Sequence, residues 1–500
     1  MTSIASFIKS IRQTMWQDPG ASSDTQRLPQ ISWMLFLKIY DVRESDWEFK
    51  DKNYKSIIPE EYRWRNWATD TEDGKALGKA LTGKELLDFV NNGLLPTLKN
   101  LNVTPETEER QLIVKRMFAN TINYVQNGTT LRKIINIIDG INFDDYKEEH
   151  AFNTIYESIL KMMQGSKATG EFYTPRAVTD FVVEMVNPKL GEKIADLGCG
   201  TGGFLVSALN HLKQQKNRIE DLAIYQNSIY GCEWKDLPFQ MCMTNLLSHG
   251  IDAPNLIQGD SLARDVTEYT EDEKFDVIVM NPPYGGNTEA GTLSNFPINM
   301  RTSETAFLFT VLLLYRLKMN GRVGIVVSDG FLNPSSDNER EIIKKLLTEC
   351  NLHTVIRLPP SVFSPYTPIA TNLLFFEKTG KTKETWFYRL DMPEDRLHFS
   401  KTKPIQPQHF DCVREWWSNK TEIQDEQEDE SLPVSFKAKK YSIDEFVSRK
   451  YNLDLCGYPH PVEIVLRPDE LFAEYEEKKA KSEEKIETIL NKIKDGLRAK

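Results

Sequence analysis

The tetrapeptide Asn281-Pro282-Pro283-Tyr284 follows an apolar run at residues 275–280 and combines side chains suited to chemistry on a planar nitrogen. An adenine N6 or an amide nitrogen is a poor nucleophile because its lone pair is delocalised. Two acceptors, the Asn281 side-chain oxygen and the Pro282 carbonyl, would concentrate that lone pair, since proline offers no competing N–H. The Tyr284 ring offers a face on which a base can stack. The motif predicts methyl transfer to nitrogen, with a structural turn as the alternative.

A glycine-rich turn lies upstream, after a strand predicted at residues 193–197. Glycines let the backbone approach a ligand closely and adopt positive φ. Three of them fit the dinucleotide pattern G-x-G-x-x-G, which is a weak signal by itself. The turn therefore predicts a nucleotide-type cofactor site, with a plain tight turn as the alternative. Its candidate contacts are Asp196, Gly198, Gly200, Thr201, Gly202 and Gly203.

Two acidic residues lie between the glycine-rich turn and the strand that leads to Asn281. Glu233 ends the strand at 228–232, where a carboxylate can accept hydrogen bonds from ribose hydroxyls. It lies 33 residues after Gly200, a longer interval than the roughly 20 residues of dinucleotide-binding folds. Asp260 stands before the strand that leads to Asn281, and it is a candidate acceptor for the amino group of a cofactor adenine. The alternatives are an exposed strand-end glutamate and a helix-capping aspartate.

The order of these motifs resembles that of class I S-adenosylmethionine-dependent methyltransferases, specifically amino-methyltransferases. A segment before the first strand strengthens the resemblance, because DNA adenine methyltransferases carry a similar Phe/Tyr-Thr-Pro segment that closes over the methionine end of the cofactor. In isolation, Thr174 and Pro175 also suit the N-cap and first position of a helix. The resemblance implies contacts with S-adenosylmethionine from Glu171, Phe172, Tyr173, Thr174, Pro175 and Arg176.

The remaining sequence predicts a helical region followed by a sheet. The first 160 residues are mostly helical in pattern, and the later strands alternate with helices, which predicts a mostly parallel sheet covered on both faces. Ligands should gather at the carboxyl ends of its strands. The predicted helices are 24–46, 111–118, 131–138, 178–185 and one after Pro468. The predicted strands are 193–197, 228–232, 275–280, 322–327 and 353–358, with 372–377 and 385–390 as late antiparallel additions and 421–431 as an acidic loop or linker.

Composition restricts the partners. The net charge of −11 is wrong for a protein that must hold DNA alone through phosphate contacts. Either the substrate is not nucleic acid, or a basic partner helps to hold it, or the average hides a local basic surface. Neither an apolar stretch of about 18 residues nor a signal-peptide pattern occurs, so no membrane span and no secretion are predicted. The six cysteines contain no CxxC pair, which predicts reduced thiols in a cytoplasmic protein and no metal site.

Over nearly the whole chain, the order and spacing of these features resemble the modification subunit of type I restriction–modification systems. The resemblance implies an α/β class I S-adenosylmethionine-dependent methyltransferase (Rossmann-like) sheet with a helical N-terminal domain and a C-terminal helical tail that docks on a subunit. It also implies methylation of adenine N6 in DNA, in an assembly with one specificity subunit and a second modification subunit, which a restriction subunit can join. Further segments like that family are 358–363, 366–368, 373–376 and 451–454. The implied domains are 1–160, 161–450 and 451–500.

The sequence leaves two other kinds of function open. One is a stand-alone DNA, RNA or protein-glutamine N-methyltransferase, and the other is a non-catalytic scaffold of a DNA-processing complex. RNA and protein-glutamine enzymes are usually smaller and lack the helical N-terminal region. A self-sufficient DNA enzyme should carry its own basic recognition domain, and none is visible after the sheet. We therefore expect a specificity subunit to read the DNA sequence.

Overall fold

The structure is a computed structural model. It describes residues 4–72, 75–76, 78, 80–141, 174–285, 288, 290–364, 367, 369–425, 434–458, 475–476, 479–480 and 483. The chain divides into two units, residues 1–457 and residues 458–500. In the second unit the described residues 475–476, 479–480 and 483 are helical. The helix predicted after Pro468 otherwise falls outside the described residues.

The amino-terminal part of the first unit is helical, as predicted. Its long helix Asp24–Lys50 is apolar on most sides, so it is buried nearly all round. Trp33 and Tyr40 of this helix are fully buried, and the helix packs against Asp236–Ser248. The α-helices are Ile4–Met15, Asp24–Lys50, Trp64–Trp67, Gly83–Asp88, Leu95–Lys99, Glu109–Phe118 and Gly128–Asp139, with a π-helical turn at Phe89–Leu94.

Twelve strands occur in the described residues. A small antiparallel pair is formed by β1 (Thr71–Glu72) and β2 (Lys75–Ala76). The other ten form one sheet in the order β11-β12-β10-β8-β9-β7-β6-β3-β4-β5. They are β3 (Ile194–Asp196), β4 (Ile229–Glu233), β5 (Leu256–Gln258), β6 (Phe275–Met280), β7 (Leu317–Ser328), β8 (Asn351–Arg357), β9 (Thr371–Glu377), β10 (Glu384–Arg389), β11 (Ile423–Gln424) and β12 (Phe436–Ser442).

The sheet confirms most of the predicted strands and corrects two expectations. It is mixed, with five of its nine neighbouring pairs parallel, which agrees with a mostly parallel sheet that carries antiparallel additions. Strand β9 is antiparallel to both neighbours, as predicted. The antiparallel prediction is wrong for β10, which runs parallel to β8 and is antiparallel only to β12. The loop predicted from residue 421 is also wrong at its start, since β11 pairs there with β12.

Helices cover both faces of the sheet. Successive residues of β6 alternate between two apolar cores, with Val277 and Val279 in one and Ile278 and Met280 in the other. This alternation follows the period of two along a strand, so the sheet is buried on both sides. The helices of this region are Arg176–Val186, Gly203–Lys213, Asp221–Gln226, Asp236–Ser248, Ala290–Leu293, Thr305–Arg316, Asp329–Leu332, Asp337–Glu349, Asp411–Ser418 and Ile443–Ser448. Within the described part of the chain, no helix is long and apolar enough to cross a membrane.

Candidate active site

The glycine-rich turn and the Asn-Pro-Pro-Tyr motif lie at the same edge of the sheet. The turn follows β3 and the motif follows β6, and these two strands are parallel neighbours, with Ile194 opposite Val277. The strand order reverses between them, because β4 and β5 lie on one side and β7 lies on the other. Such a switch point opens a crevice at the carboxyl ends of the strands, where ligands of α/β sheets bind.

The turn after β3 leaves open space above its backbone. Gly200 and Gly202 have φ angles of +52° and +84°, which favour glycine. A Cβ on Gly202 would lie 2.8 Å from Cys242 Sγ, whereas a Cβ on Gly200 would meet no atom within 4 Å. The fully buried Asn245 donates its Nδ2–H to the Thr201 carbonyl at 3.1 Å. The turn is therefore held from the helix side and open where a ligand would approach Gly200.

The carboxylate of Glu233 ties this turn to the end of β4. Its Oε2 accepts the Gly200 N–H at 2.8 Å, and its Oε1 accepts the Lys235 N–H at 2.8 Å. Burial raises the pKa of Glu233, and the two backbone N–H groups act in the opposite direction. Each carboxylate oxygen keeps a further lone pair for a ligand hydroxyl.

Asp260 and Asp196 differ in what they can reach. Asp260 is exposed, and its Oδ1 accepts the Leu262 N–H at 2.9 Å; the cavity of about 450 Å³ that it lines contains neither Glu233 nor any residue of the glycine-rich turn. It closes a turn, so the helix-cap alternative is wrong at this position. Asp196 is 1% exposed and accepts the Gly198 N–H at 3.2 Å, so its contacts are with the turn itself.

Asn281 presents a buried side-chain oxygen that forms no hydrogen bond of normal geometry with a described residue, although the Asn281 amide also interacts with the Tyr284 phenol. Its Nδ2–H donates to Thr174 Oγ1 at 2.9 Å, whereas its Oδ1 is buried and makes no hydrogen bond of normal geometry within the described residues. Thr174 is not the helix cap that was considered, because Pro175 stands at the cap position of Arg176–Val186. Buried acceptors in proteins are nearly always paired, so the free Oδ1 fits an N–H group of a ligand.

The rest of the tetrapeptide is fixed by neighbouring elements. Pro282 is buried, and the Pro283 carbonyl accepts the Thr305 hydroxyl at 2.9 Å. The Tyr284 ring is half-buried and packs edge-on against Phe363, with ring centroids 6.3 Å apart. Burial raises the pKa of Tyr284 well above its usual value, so the phenol stays neutral.

Comparisons with known proteins agree with this geometry. A family model described as N-6 DNA Methylase matches residues 147–465, and a second, described as HsdM N-terminal domain, matches residues 4–138. The Type I restriction enzyme EcoEI methylase subunit of Escherichia coli is 44% identical, over 99% of this chain and 98% of that protein. The chain belongs to the methylase subunits of type I restriction enzymes. It is therefore an adenine-specific DNA methyltransferase, as the resemblance implied.

Solved structures of type I modification subunits have the same fold as this chain. The chain superimposes with a TM-score of 0.77 on the modification subunit of a putative type I restriction enzyme from Vibrio vulnificus YJ016, at 38% identity over 89% of this chain and 94% of that one. A second chain, from a structure concerning complex assembly and conformational transition of the type I R-M system, gives 0.76 at 32% identity over 98% of both. A Streptococcus thermophilus methyltransferase subunit gives 0.64 at 18% identity over 91% and 99%, which shows the fold alone. The predicted fold class is confirmed.

Several residues that border the methylase site escaped the sequence interpretation. Trp234 directly follows Glu233 and is 71% exposed, which leaves a large aromatic face beside the turn. Its position after the acid was a usable signal. Thr305, Phe363 and Asn245 gave no such signal, because their contacts with the site join distant parts of the chain. Of the predicted contacts, Glu171, Phe172 and Tyr173 lie outside the described residues.

Arg176 joins the segment before β3 to the glycine-rich turn. Its Nη1–H donates to the Gly203 carbonyl at 3.0 Å. Thr174, two residues earlier, contacts Asn281. Thr174 and Arg176 therefore connect the two motifs at the sheet edge, which is where the resemblance implied a contact with the cofactor.

The buried Asp196 of the methylase gives a prediction for stability against pH. Burial raises its pKa to about 8, and the charge of Glu233 adds to this effect. The folded state therefore keeps a proton that the unfolded chain releases near pH 4. The stability that this group contributes is complete below about pH 4 and is lost as the pH rises to about 8. Asn mimics the neutral carboxyl, so Asp196→Asn should be more stable than the parent at pH 8.5 by up to about 5 kcal/mol.

Urea denaturation at pH 4 and pH 8.5 checks this prediction. The advantage of Asp196→Asn should be small at the lower pH and large at the higher one. A suitable control is Asp272→Asn, whose parent carboxyl is exposed. An advantage that is equal at both pH values, or shared by the control, would contradict the prediction.

Proposed function

We propose that this adenine-specific DNA methyltransferase takes its methyl group from S-adenosylmethionine and uses Asn281, Pro282, Pro283 and Tyr284 as its catalytic motif. The observation that carries the proposal is the buried Asn281 Oδ1, which forms no hydrogen bond of normal geometry with a described residue and lies beside the Tyr284 side chain. It stands at the end of β6, next to the strand that leads into the glycine-rich turn.

The residues around the turn fit the proposed methyl donor. S-adenosylmethionine, when bound, supplies an electrophilic sulfonium methyl group. Glu233 would accept the ribose hydroxyls with its remaining lone pairs, and the space above Gly200 would admit the ligand. The exposed ring of Trp234 and the exposed carboxylate of Asp260 suit the face and the amino group of an adenine. Further proposed contacts are Thr174, Pro175, Arg176, Asp196, Gly198, Thr201, Gly202 and Gly203.

The catalytic motif would act by binding a flipped adenine. Asn281 Oδ1 would accept one N6–H, and the Pro282 carbonyl would accept the other. The Pro283 carbonyl is engaged by Thr305, whereas no described residue donates to the Pro282 carbonyl. Tyr284 would offer its face to the base. Holding N6 in line with the methyl group supplies much of the acceleration, and the N6 proton is released afterwards without a strong base.

The proposal extends to an assembly with DNA, one specificity subunit, a second modification subunit and a restriction subunit that can join. Its support is that the E. coli relative is named as a subunit, and that the 32% identical chain comes from a structure of complex assembly. The net charge of −11 also favours a partner that holds the DNA. The predicted cytoplasmic location and the division into domains 1–160, 161–450 and 451–500 stay part of the proposal.

Transfer of labelled methyl groups from S-adenosylmethionine tests this function. The full chain would be assayed on unmethylated DNA with and without a co-expressed specificity subunit, and RNA and protein acceptors would be included. We expect label in adenine N6 of DNA only when the specificity subunit is present. Label in RNA or protein instead, or equal DNA methylation by the chain alone, would favour the alternatives.

The carboxyl-terminal tail gives a prediction for this assembly. Ile486, Ile489, Leu490, Ile493 and Leu497 recur at helical spacing, which suits a partner-facing helix, although they lie outside the described residues. Deleting residues 469–500 should therefore sharply reduce co-purification with the specificity subunit. Binding of S-adenosylmethionine by the truncated chain serves as the control for folding. Unaltered co-purification would argue against a docking tail.

A further inference from the structure

A second pocket, of about 460 Å³, lies at the amino-terminal ends of β8 and β10. These strands run parallel to β6, so the pocket is at the opposite end of the sheet from Asn281. Strand β8 has seven residues, and at about 3.3 Å per residue the separation along the strand is roughly 20 Å. The volume is in the range of small-ligand sites. The pocket is therefore distinct from the proposed methyl-transfer site and large enough to hold a small molecule.

Four lysines line this pocket: Lys381, Lys383, Lys420 and Lys440. Lys440 forms an ion pair with Glu384 at 2.8 Å. The other three form no ion pair with any described residue, and Glu384, the one carboxylate among the lining residues, is already paired with Lys440. The pocket therefore concentrates positive charge on a chain whose net charge is −11, and such a cleft attracts anions.

Lys420 is the lysine placed deepest among aromatic side chains. Its Nζ donates to Thr354 Oγ1 at 2.5 Å and lies 4.3 Å from the centre of the Trp417 ring. Burial lowers the pKa of Lys420 to about 8, and Glu377 attracts it without forming an ion pair. A cation in such surroundings is stabilised when an anion joins it.

Two of the residues that line the pocket, Trp386 and His353, have aromatic rings. Trp386 is half-buried and packs edge-on against Trp416, with centroids 5.8 Å apart. His353 packs edge-on against Trp417 at 5.9 Å. Burial lowers the pKa of His353 to about 3, so it is neutral at pH 7 and adds a flat surface, not a charge. Lysines beside aromatic rings are a combination suited to nucleotides and nucleic acids.

We infer that this pocket binds a phosphate-bearing ligand. Phosphate oxygens would give Lys381, Lys383 and Lys420 the anionic partner that they lack, through charge-assisted hydrogen bonds. Three unpaired lysines match a multiply charged phosphate better than a single carboxylate. The rings of Trp386 and His353 would contact the base or sugar of the same ligand. Its source is either a free nucleotide or the backbone of a nucleic acid, which share the phosphate ester.

Binding of three probes by the full chain tests the inference. The probes are ATP and inorganic phosphate, followed by calorimetry, and a labelled DNA duplex, followed by fluorescence anisotropy. Saturating S-adenosylmethionine is present throughout so that ATP cannot report on the adenosine pocket. The pocket variant is Lys381→Glu/Lys383→Glu, and the control is Lys401→Glu/Lys403→Glu, an exposed pair with the same spacing and charge change.

We expect the parent chain to bind at least one probe with a Kd below about 1 mM. The pocket variant should lose at least about tenfold in affinity, and the control should lose much less. Loss confined to ATP and phosphate would identify a free nucleotide, and loss confined to the duplex would identify backbone phosphates. Lys420→Gln, which keeps a donor for Thr354, should also weaken binding.

No saturable binding of any probe, or equal losses in the pocket and control variants, would overturn the inference. Methyl transfer with the specificity subunit, measured at saturating DNA, should stay near the parent level in the pocket variant, so failure here is distinguishable from failure of the proposed active site.

Discussion

Replacing Asn281 with alanine should lower the rate of methyl transfer by about 10³-fold, a loss typical of removing one preorganised hydrogen-bonding group from an active site. The reason is that the buried Oδ1 is the side-chain acceptor proposed to draw out the N6 lone pair. The affinity for S-adenosylmethionine should stay near that of the parent chain, because Asn281 is not itself a proposed contact of the cofactor, although its hydrogen-bond partner Thr174 is. Single-turnover methylation and calorimetry, each with the assembled complex, measure the two quantities.

A matched asparagine serves as the control for this variant. Asn295 donates its Nδ2–H to the Leu262 carbonyl at 2.9 Å and has no proposed contact with the base. Asn295→Ala makes the same chemical change and should keep most of the activity. Near-normal turnover by Asn281→Ala would overturn the mechanism, and an equal loss in both variants would indicate a general effect on folding.

Variants of Thr174 test whether methyl transfer depends on the orientation of the Asn281 side-chain amide as well as on its presence. Its hydroxyl accepts the Asn281 Nδ2–H, which orients the side chain so that Oδ1 stays free. Thr174→Val removes this acceptor, and Thr174→Ser restores it. A lowered rate in the valine variant that the serine variant rescues would support a positioning role.

The sequence alone was enough to predict that the two motifs lie at the same edge of the sheet. Apolar runs at 193–197 and 275–280 identify two buried strands, and parallel strands end at the same edge of a sheet. The residue types in the turns then indicate what each strand end can do. For this reason Gly200, Glu233 and Asn281 could be named before the fold was known. The structure adds that Glu233 already holds the Gly200 N–H.

The contacts between distant segments of the chain could not be predicted from the sequence. Thr174 and Asn281 are 107 residues apart, and no local pattern marks their pairing. The predicted direction of β10 was wrong because alternating apolar residues look the same in a strand of either direction. The path of the chain that connects β10 to the preceding strand decides its direction. The acidic run that contains β11 looked like a loop because its pairing with β12 depends on backbone hydrogen bonds, which leave no clear mark in the side chains. The lysine pocket is assembled from segments around 351–353, 379–386, 420 and 440.

Replacing Glu233 with alanine should lower the affinity for S-adenosylmethionine by at least about 100-fold. Each hydrogen bond from a ribose hydroxyl to a carboxylate is worth about 1.5 kcal/mol or more, so losing two gives a change of this size. The substitution also frees the N–H groups of Gly200 and Lys235, which loosens the turn that the ligand must meet. Both effects act on binding, so calorimetric titration of the cofactor analogue S-adenosylhomocysteine measures them without turnover.

A control carboxylate distinguishes this effect from a change in net charge. Glu220 is exposed and lies before β4, at the opposite end of that strand from Glu233. Glu220→Ala should bind the cofactor like the parent chain. An unchanged affinity in Glu233→Ala would refute the ribose role, and an affinity lost together with the folded helix signal would instead assign Glu233 to stability. A large loss of affinity in a chain that still folds is the result that the bond from Glu233 to Gly200 leads us to expect, because the same carboxylate would then both shape the turn and hold the ligand.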